Sequence, residues 1–162
     1  MSIVFVALGS NLGDREKFLN QAIDSLKNLP GTKVLRSSQW YETAPVGGPP
    51  QGMFLNGAVQ LETTLSAKDI FHHLRKIEID LGRPSDHRPL EPRVIDLDLL
   101  SYDDFIVESP ELTIPHPRLH ERKFVLFPLA EIAPHWMHPT LKKTVAELLA
   151  AVSLDRSLGS PI

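Results

Sequence analysis

The stretch HRPLEPRVIDLDLLSYDD, His87–Asp104, opens with arginines among prolines and turns into an apolar run interrupted by Asp96 and Asp98. Side chains alternate faces along a strand, so Ile95, Leu97 and Leu99 share one face and the two aspartates share the other. Two residues apart on a strand, the carboxylates stand about 7 Å from each other at Cβ. Like charges at that separation repel, and partial burial raises the cost. A divalent cation is the simplest compensation. Hard oxygen ligands on a rigid strand suit magnesium, which commonly takes one or two carboxylates and completes its shell with substrate phosphates. A bare D-x-D also fits a solvated sheet face, and the pair alone leaves both readings open. Arg83, Arg88 and Arg93 precede it at five-residue steps. Guanidinium groups fork onto phosphate oxygens, so arginines beside paired acids have the composition needed to hold a metal-bound polyphosphate.

The segments around this strand set the fold. IVFVAL, Ile3–Leu8, reads as an inner strand, followed by the turn GSNLGD with residues able to cap a helix. Phe18, Leu19, Ala22, Ile23 and Leu26 recur at helical spacing, and Pro30-Gly31 ends the pattern. TKVLRSSQWYET, Thr32–Thr43, reads as a strand, and APVGGPPQG, Ala44–Gly52, as a loop too rich in glycine and proline to pair in a sheet. FLNGAVQLETTL, Phe54–Leu65, reads as another strand. Ser66 and Asp69 form a capping-box-like start, and Ile70, Leu74, Ile77 and Leu81 trace one helical face up to Gly82. After the D-x-D strand comes a short strand, FIVES, and then two helical segments, FVLFPLAEIAP and TVAELLAAVS. The order β-α-β-β-α-β predicts a ferredoxin-like α+β sandwich. An antiparallel sheet has helices packed on one face, with C-terminal additions.

Bulk properties narrow the function. A chain of 162 residues fits one domain spanning 1–162 and suits a monomer. A net charge of -3 argues against a large nucleic-acid footprint. The absence of cysteine excludes disulfides and thiolate metal sites and fits the cytoplasm. No apolar run reaches the roughly 18 residues of a membrane helix, and MSIVFVALGSN lacks the basic start of a signal peptide. No membrane partner is therefore expected.

ALGSNLGD, FLNGAVQLET, PRVIDLDLL and IPHPRLHERKFVLFPLAEIAP together resemble the 6-hydroxymethyl-7,8-dihydropterin pyrophosphokinase family, in its order and at about its spacing. The resemblance covers nearly the whole chain. R-x-x-D-L-D joined to I-P-H-P-R is its most specific part. It implies the ferredoxin-like fold and transfer of pyrophosphate from ATP to the hydroxyl of 6-hydroxymethyl-7,8-dihydropterin. The products are AMP and the pterin diphosphate, a step in folate biosynthesis assisted by two Mg2+ ions. By motif, Asp96 and Asp98 match the metal-holding carboxylates, and Asp98 is also a candidate acceptor of the hydroxyl proton. Arg83 and Arg93 match catalytic arginines at the phosphates. Thr43, Ala44, Pro45 and Val46 match the pterin edge, with Phe54, Asn56 and Phe124 completing the pterin site. Glu78, Arg88, Arg93, Ile114, His116, Arg118 and Arg122 are the candidate ATP contacts.

The chain departs from the family before the D-L-D. Where relatives carry R-W-G-P-R, it has R-P-L-E-P-R, so Leu90 replaces an aromatic and Glu91 a glycine. Asp86 and His87 also leave this loop less basic. The Gly/Pro-rich segments Ala44–Met53 and Pro84–Pro92 flank the chemistry and read as lids, the second closing over both substrates. His72 and His73 are adjacent on a helix and point to different sides, and His135 and His138 match no role, so neither pair suggests zinc. The competing readings are a ferredoxin-like binding module, a γ-phosphoryl transferase releasing ADP, and a nucleic-acid-binding domain.

Overall fold

The computed structural model describes residues 1–45, 51–82 and 94–152. Four strands make the main antiparallel path. β1 (Ser2–Ser10) lies between β4 (Phe54–Thr63) and β5 (Asp96–Tyr102), and β2 (Thr32–Ser37) flanks β4 on its other side. With α1 (Arg15–Lys27) and α2 (Ala67–Asp80) as the crossovers, this is the expected ferredoxin-like order. The caps follow the sequence. Asp14 accepts from the Lys17 amide at the start of α1, and Ser66 accepts from the Asp69 amide at the start of α2.

The predicted strand Thr32–Thr43 is two strands. β2 ends at Ser37, and β3 (Tyr41–Thr43) resumes along β4 nearer its N-terminal end. Trp40 stands in the break and packs over Gly57. A Cβ on that glycine would meet the indole carbons at 2.4 and 2.5 Å. Beside it, the Ser38 hydroxyl accepts from the Ala58 amide at 2.9 Å, which covers the β4 backbone where the neighbouring strand is interrupted.

The helices cover both faces of the sheet, not one. Val4, Val6, Leu8, Val59, Leu61, Leu97 and Leu99 pack with Leu19, Ala22 and Leu26 of α1 and Ile70, Leu74 and Ile77 of α2. Phe5, Ala7, Ala58 and Leu100 point the other way. They pack with Val125, Leu126, Leu129 and Ile132 of α3 (Lys123–Ile132) and Val145 and Leu148 of α4 (Val145–Val152). The two C-terminal helical segments thus form a third layer. α3 is pinned at one end through Glu131, which accepts from the Tyr41 hydroxyl at 2.7 Å and from the Gln39 amide at 3.1 Å. Burial, followed by that bond and the Glu131 charge, pushes the Tyr41 phenol up to about 12.

FIVES contributes only β6 (Val107–Glu108), which pairs with β7 (Thr113–Ile114) in a small ribbon. Just beyond β7, the His116 amide donates to the Leu100 carbonyl at 2.8 Å. The I-P-H-P-R segment is therefore held against the outer edge of β5.

Candidate active site

Antiparallel register sets one row of side chains on the face shared with α3. Asp96 lies opposite Gly9, Gly9 opposite Asn56, and Asn56 opposite Tyr41. The next row is Asp98, Ala7 and Ala58. Residues directly opposite one another point to the same face. Both aspartates thus project over a floor of small residues, with the Asn56 amide beyond it. They are half-buried while Leu97 and Leu99 are buried on the opposite face, as the alternation predicts.

A cleft of about 350 Å³ opens beside β5 and includes both aspartates. Phe71, Arg75 and Glu78 of α2 form one wall, and Glu111, Leu112, Thr113, His116 and Pro117 form the other. Of the α2 residues the sequence reading named only Glu78. Phe71 and Arg75 stand seven and three residues before it, a helical spacing that could have found them. The Arg75 guanidinium lies 5.9 Å from the Phe71 ring centre and 3.7 Å from the Glu78 carboxylate.

Glu78 is only 2% exposed, and its Oε2 accepts from the Leu97 amide at 2.8 Å. Leu97 sits between the two aspartates, so this buried carboxylate caps the backbone that spaces them. Glu78→Ala should cost about 2–3 kcal/mol by orphaning a buried N–H. Glu78→Gln keeps an acceptor and should lose markedly less. Urea denaturation of the two variants measures the difference, and equal losses would rule out the hydrogen bond as the cause.

On the Asn56 side, Nδ2 donates to Thr43 Oγ1 at 2.6 Å, with the Tyr41 carbonyl at 3.5 Å. The amide oxygen turns toward Gly9, where an added Cβ would lie 3.1 Å from it and 3.6 Å from the Phe54 ring. Thr43, Phe54 and Asn56 therefore meet around the bare Gly9 backbone, while Ala44 is exposed and Pro45 half-buried. The sequence places Gly9 at the start of the turn GSNLGD with no site role, whereas it lies within β1. Its position becomes legible only once the register is known.

Arg122 and Phe124, at the start of α3, join the same face. Arg122 lies 3.8 Å from Asp98 Oδ2, and its guanidinium is 5.5 Å from the Phe124 ring centre. Arg118 is directed to Glu121 at 3.5 Å. Ile114 is 1% exposed and belongs to the core cluster that includes residues of α1 and α2. Arg83, Arg88, Arg93, Val46, Leu90 and Glu91 lie outside the described residues, as does the Pro84–Pro92 lid. Of the Ala44–Met53 loop, residues 46–50 lie outside as well.

Burial pushes the His116 imidazole down to about 4. Arg122 and Arg118 act in the same direction, and Asp96 opposes them. His116 is therefore neutral near pH 7. Its Nδ1 accepts from the Arg118 amide at 3.2 Å, so the ring hydrogen resides on Nε2, and the residue is a donor without charge. The depressed value also has a stability consequence. Between about 6.5 and about 4, the unfolded chain binds a proton that the folded chain refuses. The His116 contribution is thus complete above the upper limit and is lost as pH falls through this window. His116→Gln should flatten that part of the stability-versus-pH curve in denaturant titrations, and an unchanged slope would contradict the assignment.

Among the described residues no group of three or more His, Asp and Glu side chains gathers as a metal site. Two carboxylates facing one cleft still fit a hard cation whose remaining ligands come from substrate phosphates and water.

The 7,8-dihydro-6-hydroxymethylpterin-pyrophosphokinase (HPPK) family matches residues 5–134. The chain is 44% identical over 131 residues to the 2-amino-4-hydroxy-6-hydroxymethyldihydropteridine pyrophosphokinase of Bacillus subtilis, covering 81% of this chain and 78% of the relative. The enzyme of the same name from Pseudomonas aeruginosa is 38% identical over 152 residues, covering 94% and 93%. Among solved structures, wild-type HPPK-DHPS from Plasmodium falciparum superposes with a TM-score of 0.74 at 15% identity, covering 93% of this chain. The chain spans only 44% of that longer protein, and the likeness shows the shared fold. The family match and the close relatives have one meaning: the chain belongs to the 7,8-dihydro-6-hydroxymethylpterin-pyrophosphokinase family.

Proposed function

We propose that Asp96 and Asp98 organise the reacting phosphates from the edge strand β5, with the nucleotide in the cleft on one side and the pterin over Gly9 on the other. As a member of this family, the chain transfers a pyrophosphoryl group to 6-hydroxymethyl-7,8-dihydropterin in folate biosynthesis, with ATP as co-substrate. The observation that carries the site assignment is the row Asp96–Gly9–Asn56. With the adjoining row of Asp98, Ala7 and Ala58, it supports a reading in which paired acids, an open floor and a recognition amide share one sheet face beside the cleft.

Asp96 and Asp98 would hold Mg2+, two ions in our reading. Bound there, the metal would neutralise phosphate charge and make the β-phosphorus more electrophilic. The chain's own groups position the reactants, which is most of what phosphoryl chemistry requires. Asn56 presents its carbonyl to the heterocycle because Thr43 engages its nitrogen. Phe54 and Phe124 supply aromatic surface, with Thr43, Ala44, Pro45 and Val46 at the pterin edge. Arg122, beside Asp98, and the arginines at 83, 88 and 93 supply positive charge to the phosphates, and His116 donates from Nε2. Arg118 is a further phosphate contact in this reading, and Ile114 would contribute backbone only. A carboxylate oxygen of Asp98 takes the hydroxyl proton as the oxygen–phosphorus bond forms and AMP leaves.

Incubation with ATP, Mg2+ and the pterin alcohol, followed by separation of nucleotides, tests this reading. AMP should appear only when the pterin is present, with an equal amount of pterin diphosphate. ADP as product would transfer the site to γ-phosphoryl chemistry. AMP formation that persists in excess chelator would remove the metal from the scheme. The length and cysteine-free composition support a monomer in the cytoplasm. Light scattering at the 18.1 kDa of one chain checks the first point, and fractionation of the source cells checks the second.

A further inference from the structure

Arg15, the first residue of α1, reaches two partners that the proposed chemistry does not use. Its Nη2 donates to Glu42 Oε2 at 2.8 Å, and its Nη1 donates to the Met53 carbonyl at 2.9 Å. Glu42 is the middle residue of β3, and Met53 immediately precedes β4. Alternation turns Tyr41 and Thr43 toward the Gly9 floor and Glu42 toward α1. β3 is three residues long and pairs with β4 only through Tyr41–Asn56, Glu42–Leu55 and Thr43–Phe54. A strand this short gains little from its own ladder. Yet Thr43, Phe54 and Asn56, the residues around the floor, all belong to these two strand ends. One guanidinium ties the ends together from behind. Asn11 adds a second tie just ahead of β4, donating to Gln51 Oε1 at 2.6 Å and to the Gly52 carbonyl at 3.2 Å.

We propose that Arg15 is a positioning residue for the pterin. By joining Glu42 to the Met53 carbonyl it fixes the spacing of β3 and the start of β4, and so the Thr43–Asn56 pair that meets the ligand. The inference rests on the assignment of Thr43, Phe54 and Asn56 to the pterin. Arg15 touches neither substrate in this scheme, so its loss acts on affinity for one ligand and leaves the chemical step alone. The pair is partly exposed, at 31% and 37%, which keeps the effect moderate. A lysine is a point charge without the planar fork, and at this position it holds one partner at a time.

Pterin and nucleotide affinities measured separately by calorimetry test the brace, with a nonhydrolysable ATP analogue saturating for the pterin titration. Arg15→Ala should weaken the pterin roughly fivefold, the size a partly exposed charged pair supports. Affinity for the analogue, and kcat at saturating pterin, should not change. Arg15→Lys should recover part of the loss, and Glu42→Gln should weaken the pterin in the same direction. Unchanged pterin affinity in Arg15→Ala overturns the proposal. So does an equal loss for both ligands, which would indicate general loosening. A wild-type chain that binds no pterin at all would instead sink the underlying site assignment, before any variant is compared.

Discussion

Asp96→Ala is expected to lower AMP formation by at least about a thousandfold, because metal stabilisation of phosphoryl transfer is worth several kcal/mol and each 1.36 kcal/mol is tenfold in rate. The fold should survive. Asp96 is half-buried on an edge strand, and the backbone beside it is held by Glu78 through Leu97 and by the β1 ladder. Removing one of two neighbouring like charges also relieves repulsion. A circular dichroism melt should therefore shift by no more than a few degrees while the nucleotide assay falls to background. Asp96→Asn separates charge from shape, since the amide keeps the volume and one oxygen but loses the anion. It should be nearly as inactive as the alanine variant. A variant that retains more than a tenth of wild-type turnover would show that the carboxylate pair is not the reacting centre.

Gly9→Leu is expected to weaken pterin binding far more than nucleotide binding. An added Cβ already lies 3.1 Å from the Asn56 carbonyl oxygen, and the branches of leucine would extend over the floor between Asn56 and Asp96. Overfilling a shaped site costs about 1–3 kcal/mol, or roughly 5- to 150-fold in affinity. The cleft that would take the nucleotide is lined by α2, β5, Glu111–Thr113, His116 and Pro117, and Gly9 is not part of it. Gly9 does stand opposite Asp96, which lines that cleft, so binding of the ATP analogue should fall too, but much less than binding of the pterin. Parallel loss of both ligands would mean that the two do not occupy separate sides of β5. Unimpaired pterin binding would mean that the heterocycle does not lie over Gly9.

Much of this arrangement is legible in residue spacing, and the exceptions have physical causes. Period-two alternation in Ile95–Leu99 identified both the core face of β5 and the acidic pair. Helical periodicity locates α1 and α2, and the roles expected of the acids and of Asn56 rest on the resemblance. The run Ile3–Leu8 carried a further signal, because apolar residues on both parities mark a strand buried on two sides. Phe5 and Ala7 meet α3 and α4 for that reason, so a sandwich covered on one face was too thin. The interruption between β2 and β3 could not be read locally. It depends on Trp40 meeting Gly57 across the sheet, and no window of one strand contains both partners. Gly9 escaped for the same reason, since its importance is its place between Asp96 and Asn56. Glu78 was read as a nucleotide neighbour from motif alone. Its hydrogen bond to the Leu97 amide adds a supporting task that only the packing of α2 against β5 reveals.

The third layer has a consequence for dissecting the protein. All six segments of the β-α-β-β-α-β pattern are complete by Tyr102, so a shortened chain ending there would look whole on a topology diagram. It would nevertheless leave Phe5, Ala7, Ala58 and Leu100 facing water, a greasy panel that α3 and α4 ordinarily shelter. Such a fragment should stick to itself rather than behave as a minimal enzyme, and the sheet's solubility is in that sense supplied by residues that follow the motif.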